Sequence, residues 1–426
     1  MNNQENSQSS SISSVSKNGG HNPEDPITWY IAEMKKRPNR IALITQMHDH
    51  SLALTGVSAS DFHSNARTNI NVMAAAYAYY GLDGGQAVFD LYNIEAEAMG
   101  QKMIYSDNAM PTIDSRVPLI NKKEDLLKIK SPDWINSGRV PFALDITRLN
   151  APMGYHAGAF CAPFSLAVGL RSYPKLMRDM KKDPQFTHDL FTLLVDEILP
   201  SYIKVQKELC GIEIALGADA WSAFPNLTPQ LMEEWLVPYY LRLTENFNAI
   251  GLRTRIIATA DYCEERVEHF NSDLLYKCLD IQGKISGGVP RYYLGMGRWQ
   301  DFSLDPVVDY LESVRKKGKK IILSFGVNAR LMRDGPVDAI VNFIRRSIDK
   351  LGRDYRLTLI LANIPTDTPS IHVHSALAAV TAYGKYPIKD DLNDVKVEIP
   401  ERESFREYVE RMSGESLNML KMLKLR

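Results

Sequence analysis

Several side chains stand where short apolar runs end, and their chemistry is that of proton transfer. Asp219 closes the run 212–218 and has Trp221 two residues on. Asp261 follows Arg255-Ile256-Ile257-Ala258-Thr259-Ala260, and Asp90 follows Val88-Phe89. His156 lies in Met153-Gly154-Tyr155-His156-Ala157-Gly158, where small neighbours leave room for a ligand. A carboxylic acid or imidazole at such a position can protonate a departing oxygen or help to hold a metal beside it. Each also has a plainer reading. Asp219 can cap the next helix or pair with a neighbouring strand-end residue, Asp90 can cap the helix that follows it, Asp261 can cap a helix over 264–270, and His156 can be a satisfied core histidine. His48 and His50 follow the first apolar run, where alternate residues share a face. They read as a metal pair or as ordinary surface or core histidines. His372 and His374, two apart on a helix, fall on different faces and do not share a metal. Tyr77, Tyr79 and Tyr80 crowd one helix and read as packing.

The elements that must position these groups alternate in type. Apolar runs recur at 41–44, 86–89, 154–159, 212–216, 254–258, 320–323 and 358–361, with helical patterns between most of them. Helices are predicted over 28–36 and 69–80. Such alternation implies parallel strands covered by helices. Residues 1–24 are rich in Ser, Asn and Gln, have almost no apolar side chains, and are expected to be disordered. At the other end, Phe405, Tyr408, Val409, Met412, Leu417, Leu420 and Leu423 predict a helix that packs on the main domain or on a second copy in a homo-oligomer. The basic cluster at 315–320 reads as a solvated helix end, with Gly318 suited to its cap.

Charge and cysteine usage exclude several classes. The 426 residues carry 50 basic and 51 acidic side chains, a net charge of -1. That balance offers no footprint for nucleic acid or an anionic membrane. No apolar run reaches membrane-spanning length. Cys161, Cys210, Cys263 and Cys278 are scattered, without a CxxC pair, and suggest a reducing cytoplasm. The first residues lack the basic and apolar regions of a signal peptide, so a cytoplasmic location is expected.

Several longer stretches resemble a known superfamily. They are Gly158-Ala159-Phe160-Cys161-Ala162-Pro163-Phe164-Ser165-Leu166-Ala167, Ala215-Leu216-Gly217-Ala218-Asp219-Ala220-Trp221 and Arg255-Ile256-Ile257-Ala258-Thr259-Ala260-Asp261. To these add Asp90-Leu91-Tyr92-Asn93-Ile94-Glu95-Ala96-Glu97-Ala98-Met99-Gly100, Gly326-Val327-Asn328-Ala329-Arg330-Leu331-Met332 and Ile364-Pro365-Thr366-Asp367-Thr368-Pro369. Their order is similar to that in the uroporphyrinogen decarboxylase superfamily, in its corrinoid-dependent methyltransferase branch, over roughly residues 28–390. The resemblance implies an α/β fold, a (β/α)8 TIM barrel over 25–392, with the tail at 1–24 and a helical extension at 393–426. It implies chemistry at the strand C-terminal ends.

Two departures narrow the chemistry. The decarboxylases carry an arginine-rich segment after the first strand, suited to the carboxylates of a porphyrinogen. The matching segment here, Thr45-Gln46-Met47-His48-Asp49-His50, has no arginine. Thiol-methylating members hold zinc with a His-x-Cys pair and a later Cys, and zinc keeps the thiol ionised. Those positions fall at about Ile256, Ala258 and Ala362. Asp61-Phe62-His63-Ser64-Asn65-Ala66 comes close to the DxHxxG motif by which corrinoid domains ligate cobalt. The final Gly is Ala, and an N-cap at Ser60 or Asp61 accounts for it.

What the resemblance implies is then a methyl donor:corrinoid protein methyltransferase of O-demethylase type. A methyl group leaves a small methylated substrate, a methoxylated aromatic, for the Co(I) corrinoid of a partner corrinoid protein. The expected catalytic residues are Asp219, His156 and Asp261, and the expected substrate-binding residues Asp90, Gln46, His48, Trp221 and Asn363. A divalent metal such as zinc fits the chemistry, with its ligands left open. The alternatives are a decarboxylase of the same fold, or a non-catalytic barrel that has lost its metal site.

Overall fold

The computed structural model describes residues 22–84, 90–286 and 288–425. Pro26 opens the first helix, Pro26–Lys35, and the Asp25 carboxylate caps it by accepting from the Ile27 N–H at 3.2 Å. Seven parallel strands follow along the chain among the described residues: β1 (Ala42–Thr45), β2 (Ala157–Cys161), β3 (Ile214–Ala218), β4 (Arg253–Ile257), β5 (Arg291–Leu294), β6 (Ile322–Val327) and β7 (Arg356–Leu361). The expected strand at 86–89 lies outside the described residues, in the chain between β1 and β2.

Strands β2, β3 and β4 form one parallel arc, and β5, β6, β7 and β1 the other. The last strand pairs in parallel with the first, Ala42 beside Thr358 and Thr45 beside Leu361, so the sheet curls on itself. Gln282 joins the arcs by donating to the carbonyls of Ala260, at 3.0 Å, and Tyr293, at 2.9 Å. The alternation implied the covered parallel strands, and the resemblance implied that they form this (β/α)8-type barrel. The strand β5 was not legible as an apolar run, because it opens on Arg291 and holds only Tyr292, Tyr293 and Leu294.

Period-two alternation sorts the strand side chains. Phe160 of β2 meets Phe247 of the helix Val237–Ala249 edge-on, and Phe325 of β6 stacks on Phe343 of the helix Val337–Leu351. Residues level with them therefore face the helices, and their neighbours face the barrel interior. Gly326 lies inside, where a β-carbon would stand 1.9 Å from the Gly295 carbonyl oxygen. The backbones of β6 and the loop after β5 approach too closely for any side chain there.

The helix Ala66–Tyr80 starts three residues before its expected position, capped by Asn65, and is buried along nearly its whole length. Its tyrosines pack as expected: the Tyr77 hydroxyl donates to the Thr45 carbonyl at 2.8 Å, and Tyr79 meets Phe405 and Tyr408 edge-on. The C-terminal extension is two helices rather than one, Phe405–Ser413 and Leu417–Met422, because Gly414 and Glu415 both take positive φ (60° and 63°). Tyr408 packs on Trp29, so the extension covers the first helix of its own chain. Among the described residues no helix is long and apolar enough to cross a membrane.

Candidate active site

Buried carboxyls gather where the strands end. Asp219, fully buried, follows β3, and its N–H donates to the Ile257 carbonyl at the end of β4 (3.0 Å). Its Oδ1 accepts from the Ser165 N–H at 3.0 Å and the Ser165 hydroxyl at 2.5 Å. Ser165 is the third residue of the helix Pro163–Arg171, whose cap position is Ala162 and has no side chain to offer. Asp219 therefore caps a helix from a neighbouring strand, not the turn that follows it in sequence. Its Oδ2 is buried without a hydrogen-bond partner. Burial outweighs the bonds from Ser165 and pushes this carboxyl from 3.8 up to about 7.

Asp261 repeats the arrangement one strand on. Its Oδ2 accepts from the N–H groups of Gly295 (3.1 Å) and Met296 (2.9 Å), in the loop after β5. Its Oδ1 is buried with no donor in hydrogen-bonding geometry, and burial pushes the group up to about 7. It caps no helix over 264–270; only a short turn, Val267–His269, forms there, and Asn271 caps the next helix. The approach to Asp261 is strained: Ala258 and Ala260 take φ of 60° and 51°, a region that non-glycine residues rarely occupy.

Two more acids complete the cluster. Glu95, on the helix Ile94–Ala98, accepts from the Cys161 N–H at the end of β2 (2.7 Å) and keeps Oε2 buried and unpartnered. Burial raises it to about 8. Asp90 accepts from Arg139 Nη2 at 2.8 Å and Asn93 Nδ2 at 2.5 Å. Burial raises it to about 6 against the pull of Arg139, which also binds Glu97 at 2.6 Å. Asp90 is thus half of a buried ion pair, and Asn93 takes the cap position of the next helix. Two phenols feel the charge of the acids. Burial, then Cys161 and Asp219, raise Tyr92; burial, then Asp261, Tyr92 and Cys263, raise Tyr293.

The other expected residues scatter. Trp221 is 43% exposed and stacks on Tyr173 at 5.2 Å, an aromatic pair on the rim beside Asp219. Gln46 joins the rim through its backbone, its carbonyl accepting from the Ile364 N–H at 2.9 Å. Asn363 is exposed after β7 with φ 28°. His48 and His50 do not lie on an extended segment. They open a helix, His48–Thr55, which turns them apart. His50 meets the Tyr80 hydroxyl at 2.6 Å, while the His48 ring lies 6.4 Å from that of His63. His372 bonds the Met332 carbonyl and His374 packs on Tyr79 and Tyr80. His156 is misplaced for catalysis. It immediately precedes β2, exposed, and its carbonyl accepts from Glu213 and Ile214 at the start of β3. That is the strand N-terminal end, opposite the acids.

Sequence reasoning missed Glu95, Tyr92, Tyr293 and Ser165. Glu95 and Tyr92 lie in the stretch from Asp90 to Gly100 that carried the resemblance, so their position in that motif was the available signal. His63 is buried with both ring nitrogens unpartnered; burial first, then His48 and Arg139, lower it to about 3 and keep it neutral. The cap before it is Ser58, which accepts from the Asp61 N–H, not Ser60 or Asp61.

Ile256 and Ala258 supply no metal ligand, and among the described residues no three His, Cys, Asp or Glu side chains are arranged to hold a metal ion. The residues present do not fit a thiolate-zinc site. What the cluster can do is hold and deliver protons near neutral pH in a dry setting.

Comparison with known proteins places this geometry. A solved structure of a methyltransferase from Methanosarcina mazei aligns with a TM-score of 0.60, over 83% of this chain and 98% of that one, at 16% identity, and so shares the fold. A uroporphyrinogen decarboxylase from Myxococcus xanthus (strain DK1622) is 31% identical over 183 residues. That match takes in 40% of this chain and 49% of the relative, so the chain spans about half the length of the curated relative it matches. The profile of Uroporphyrinogen decarboxylase (URO-D) matches residues 36–383, and the chain belongs to that family.

Proposed function

We propose that this protein takes a methyl group from a small methylated donor, a methoxylated aromatic, and delivers it to the Co(I) corrinoid of a partner protein. The observation that carries this reading is the pair Asp219 and Asp261. Each carboxyl keeps one oxygen fixed by N–H donors and the other buried with no donor in hydrogen-bonding geometry, and each is pushed up to about 7. A methyl ether resists cleavage because its leaving group is a phenoxide. An acid still protonated near neutral pH, in a site that excludes water, neutralises that oxygen as the bond breaks. The Trp221–Tyr173 pair offers an aromatic face to such a donor. The corrinoid, when its carrier docks, supplies the nucleophile that accepts the methyl group. This chain's residues orient the donor, hold the proton and keep water out. The four cysteines are free, which suits a cytoplasmic enzyme.

A decarboxylase acting on a porphyrinogen fits less well. Its substrate brings several carboxylates, while the segment after β1, from Thr45 to His50, offers no arginine to meet them. The buried cation of the acid cluster, Arg139, is tied to Asp90 and Glu97. The test is incubation with a reduced Co(I) corrinoid protein and a panel of methoxylated aromatics, following methylcobalamin absorbance. Methyl transfer from at least one donor is expected. Failure across the panel, together with decarboxylation of a porphyrinogen, would replace this reading with the other.

A further inference from the structure

The strands begin at the end of the barrel away from the acids, and that end carries charge which proton transfer does not use. β4 opens with Arg253 and brings Arg255 two residues later; β5 opens with Arg291 and β7 with Arg356. Register decides which way they face. Phe160, Gly217 and Ile256 lie side by side across β2, β3 and β4, on the face that meets the helix Val237–Ala249. Arg253 and Arg255 stand on the other face, toward the interior. In the second arc, Tyr292 meets Tyr310 of the helix Asp305–Arg315, and Phe325 meets Phe343. Arg291, Ile322 and Arg356 are level with one another on the opposite, inner face.

These guanidiniums have little to neutralise them. Arg253 has the exposed Glu213 at 3.6 Å. Among the described residues no carboxylate stands within ion-pair distance of Arg255, Arg291 or Arg356. The four are close enough to repel. After burial, Arg291, Arg253 and Arg356 each weaken proton binding by Arg255, and Arg356 and Arg253 do the same to Arg291. Exposed Lys319 and Lys320, just ahead of β6, add positive charge at the same end. Arg253, Arg255 and Arg356 are exposed and Arg291 is half-buried, so solvent screens part of this repulsion, and an anion that bridges the guanidiniums removes more of it. Guanidinium forks match the paired oxygens of phosphate and carboxylate groups.

We propose that the strand N-terminal mouth of the barrel is a binding site for a small molecule with two or more neighbouring oxyanions, such as a polyphosphate or a polycarboxylate. The site is separate from the acid cluster, about 15 Å away along the strands. It stands on the arginine geometry alone and does not depend on the methyl-transfer reading.

The experiment is thermal unfolding of the full chain with inorganic tripolyphosphate or citrate, against sodium chloride at equal ionic strength. A ligand that binds only the folded state raises the melting temperature in proportion to its occupancy. A rise of at least about 2 °C above the salt control is expected at millimolar ligand. Tripolyphosphate alone acting would identify a phosphate ligand, and citrate acting as well would extend the site to carboxylates. Arg291→Gln with Arg356→Gln should abolish the rise while leaving the ligand-free protein as stable or more so, because repulsion is relieved. Lys204→Gln, an exposed charge on an outer helix, should leave the rise intact. No rise above the salt control with either probe, or a rise that survives in the double variant, would overturn the proposal.

Discussion

Asp219→Asn separates the chemistry of the candidate site from its architecture. Asparagine keeps the size of the side chain, and its Oδ1 can still accept from the Ser165 N–H and hydroxyl, so the borrowed helix cap survives. What is lost is a proton that the fold holds up to about 7, against 3.8 in the unfolded chain. The sign follows from linkage. The folded state binds this proton more tightly, so the contribution to stability is full below pH 3.8 and is lost as pH rises through about 7. Ionising the buried acid costs the fold about 4 kcal/mol once pH is above 7, and about 3 kcal/mol of that develops between pH 5 and pH 8. Asparagine does not titrate. The melting temperature of the variant minus that of the parent should therefore rise by roughly 2–4 °C from pH 5 to pH 8 for a chain of this size. Over the same range methyl transfer should fall by roughly 10²–10⁴-fold, the usual scale of a general-acid contribution. The loss should shrink for donors whose phenol is already a good leaving group. A melting difference that ignores pH would refute the buried-acid reasoning. An equal loss for every donor would reduce Asp219 to a helix cap.

Glu95→Gln should show the same direction of stability change, with the window extending to about pH 8 because Glu95 is held higher; parallel melting curves across that range would contradict the assignment. His156→Ala should leave methyl transfer within about twofold, since a change at the far end of the barrel falls among ordinary surface substitutions; a loss above tenfold would restore it to the site. Gly326→Ala should yield insoluble protein or a melting temperature lowered by more than about 5 °C, because the new β-carbon would stand 1.9 Å from the Gly295 carbonyl. Near-normal melting would mean that the β5 loop yields more readily than its packing implies.

Much of the fold was legible in sequence because a parallel strand covered by helices carries a short apolar run, while the covering helices alternate with it. Runs of that kind marked all the described parallel strands except β5. That strand escaped because its inner face carries Arg291 and Tyr293, half-buried and polar, where an apolar run would need aliphatic side chains. The C-terminal break was also legible in part: Gly414 favours the positive φ it adopts, while Glu415 gives no such signal.

The sequence by itself determined that Asp219 and Asp261 end strands, because an apolar run and its first acid are local features. The side chains at Ile256 and Ala258, where the resemblance sets a thiolate-zinc pair, are likewise a matter of sequence, and neither has a ligand atom. Only the tertiary structure decided what each acid does. Whether Asp219 caps its own following turn or a helix begun at Pro163 depends on which strand lies beside β3, a relation between residues 54 positions apart. The end of β2 at which His156 lies was not legible, because small neighbours report space but not direction along a strand. The two arginine-bearing arcs look ordinary in sequence for the same reason. Arg255, Arg291 and Arg356 are far apart along the chain, and their repulsion exists only once closure of the sheet brings them face to face.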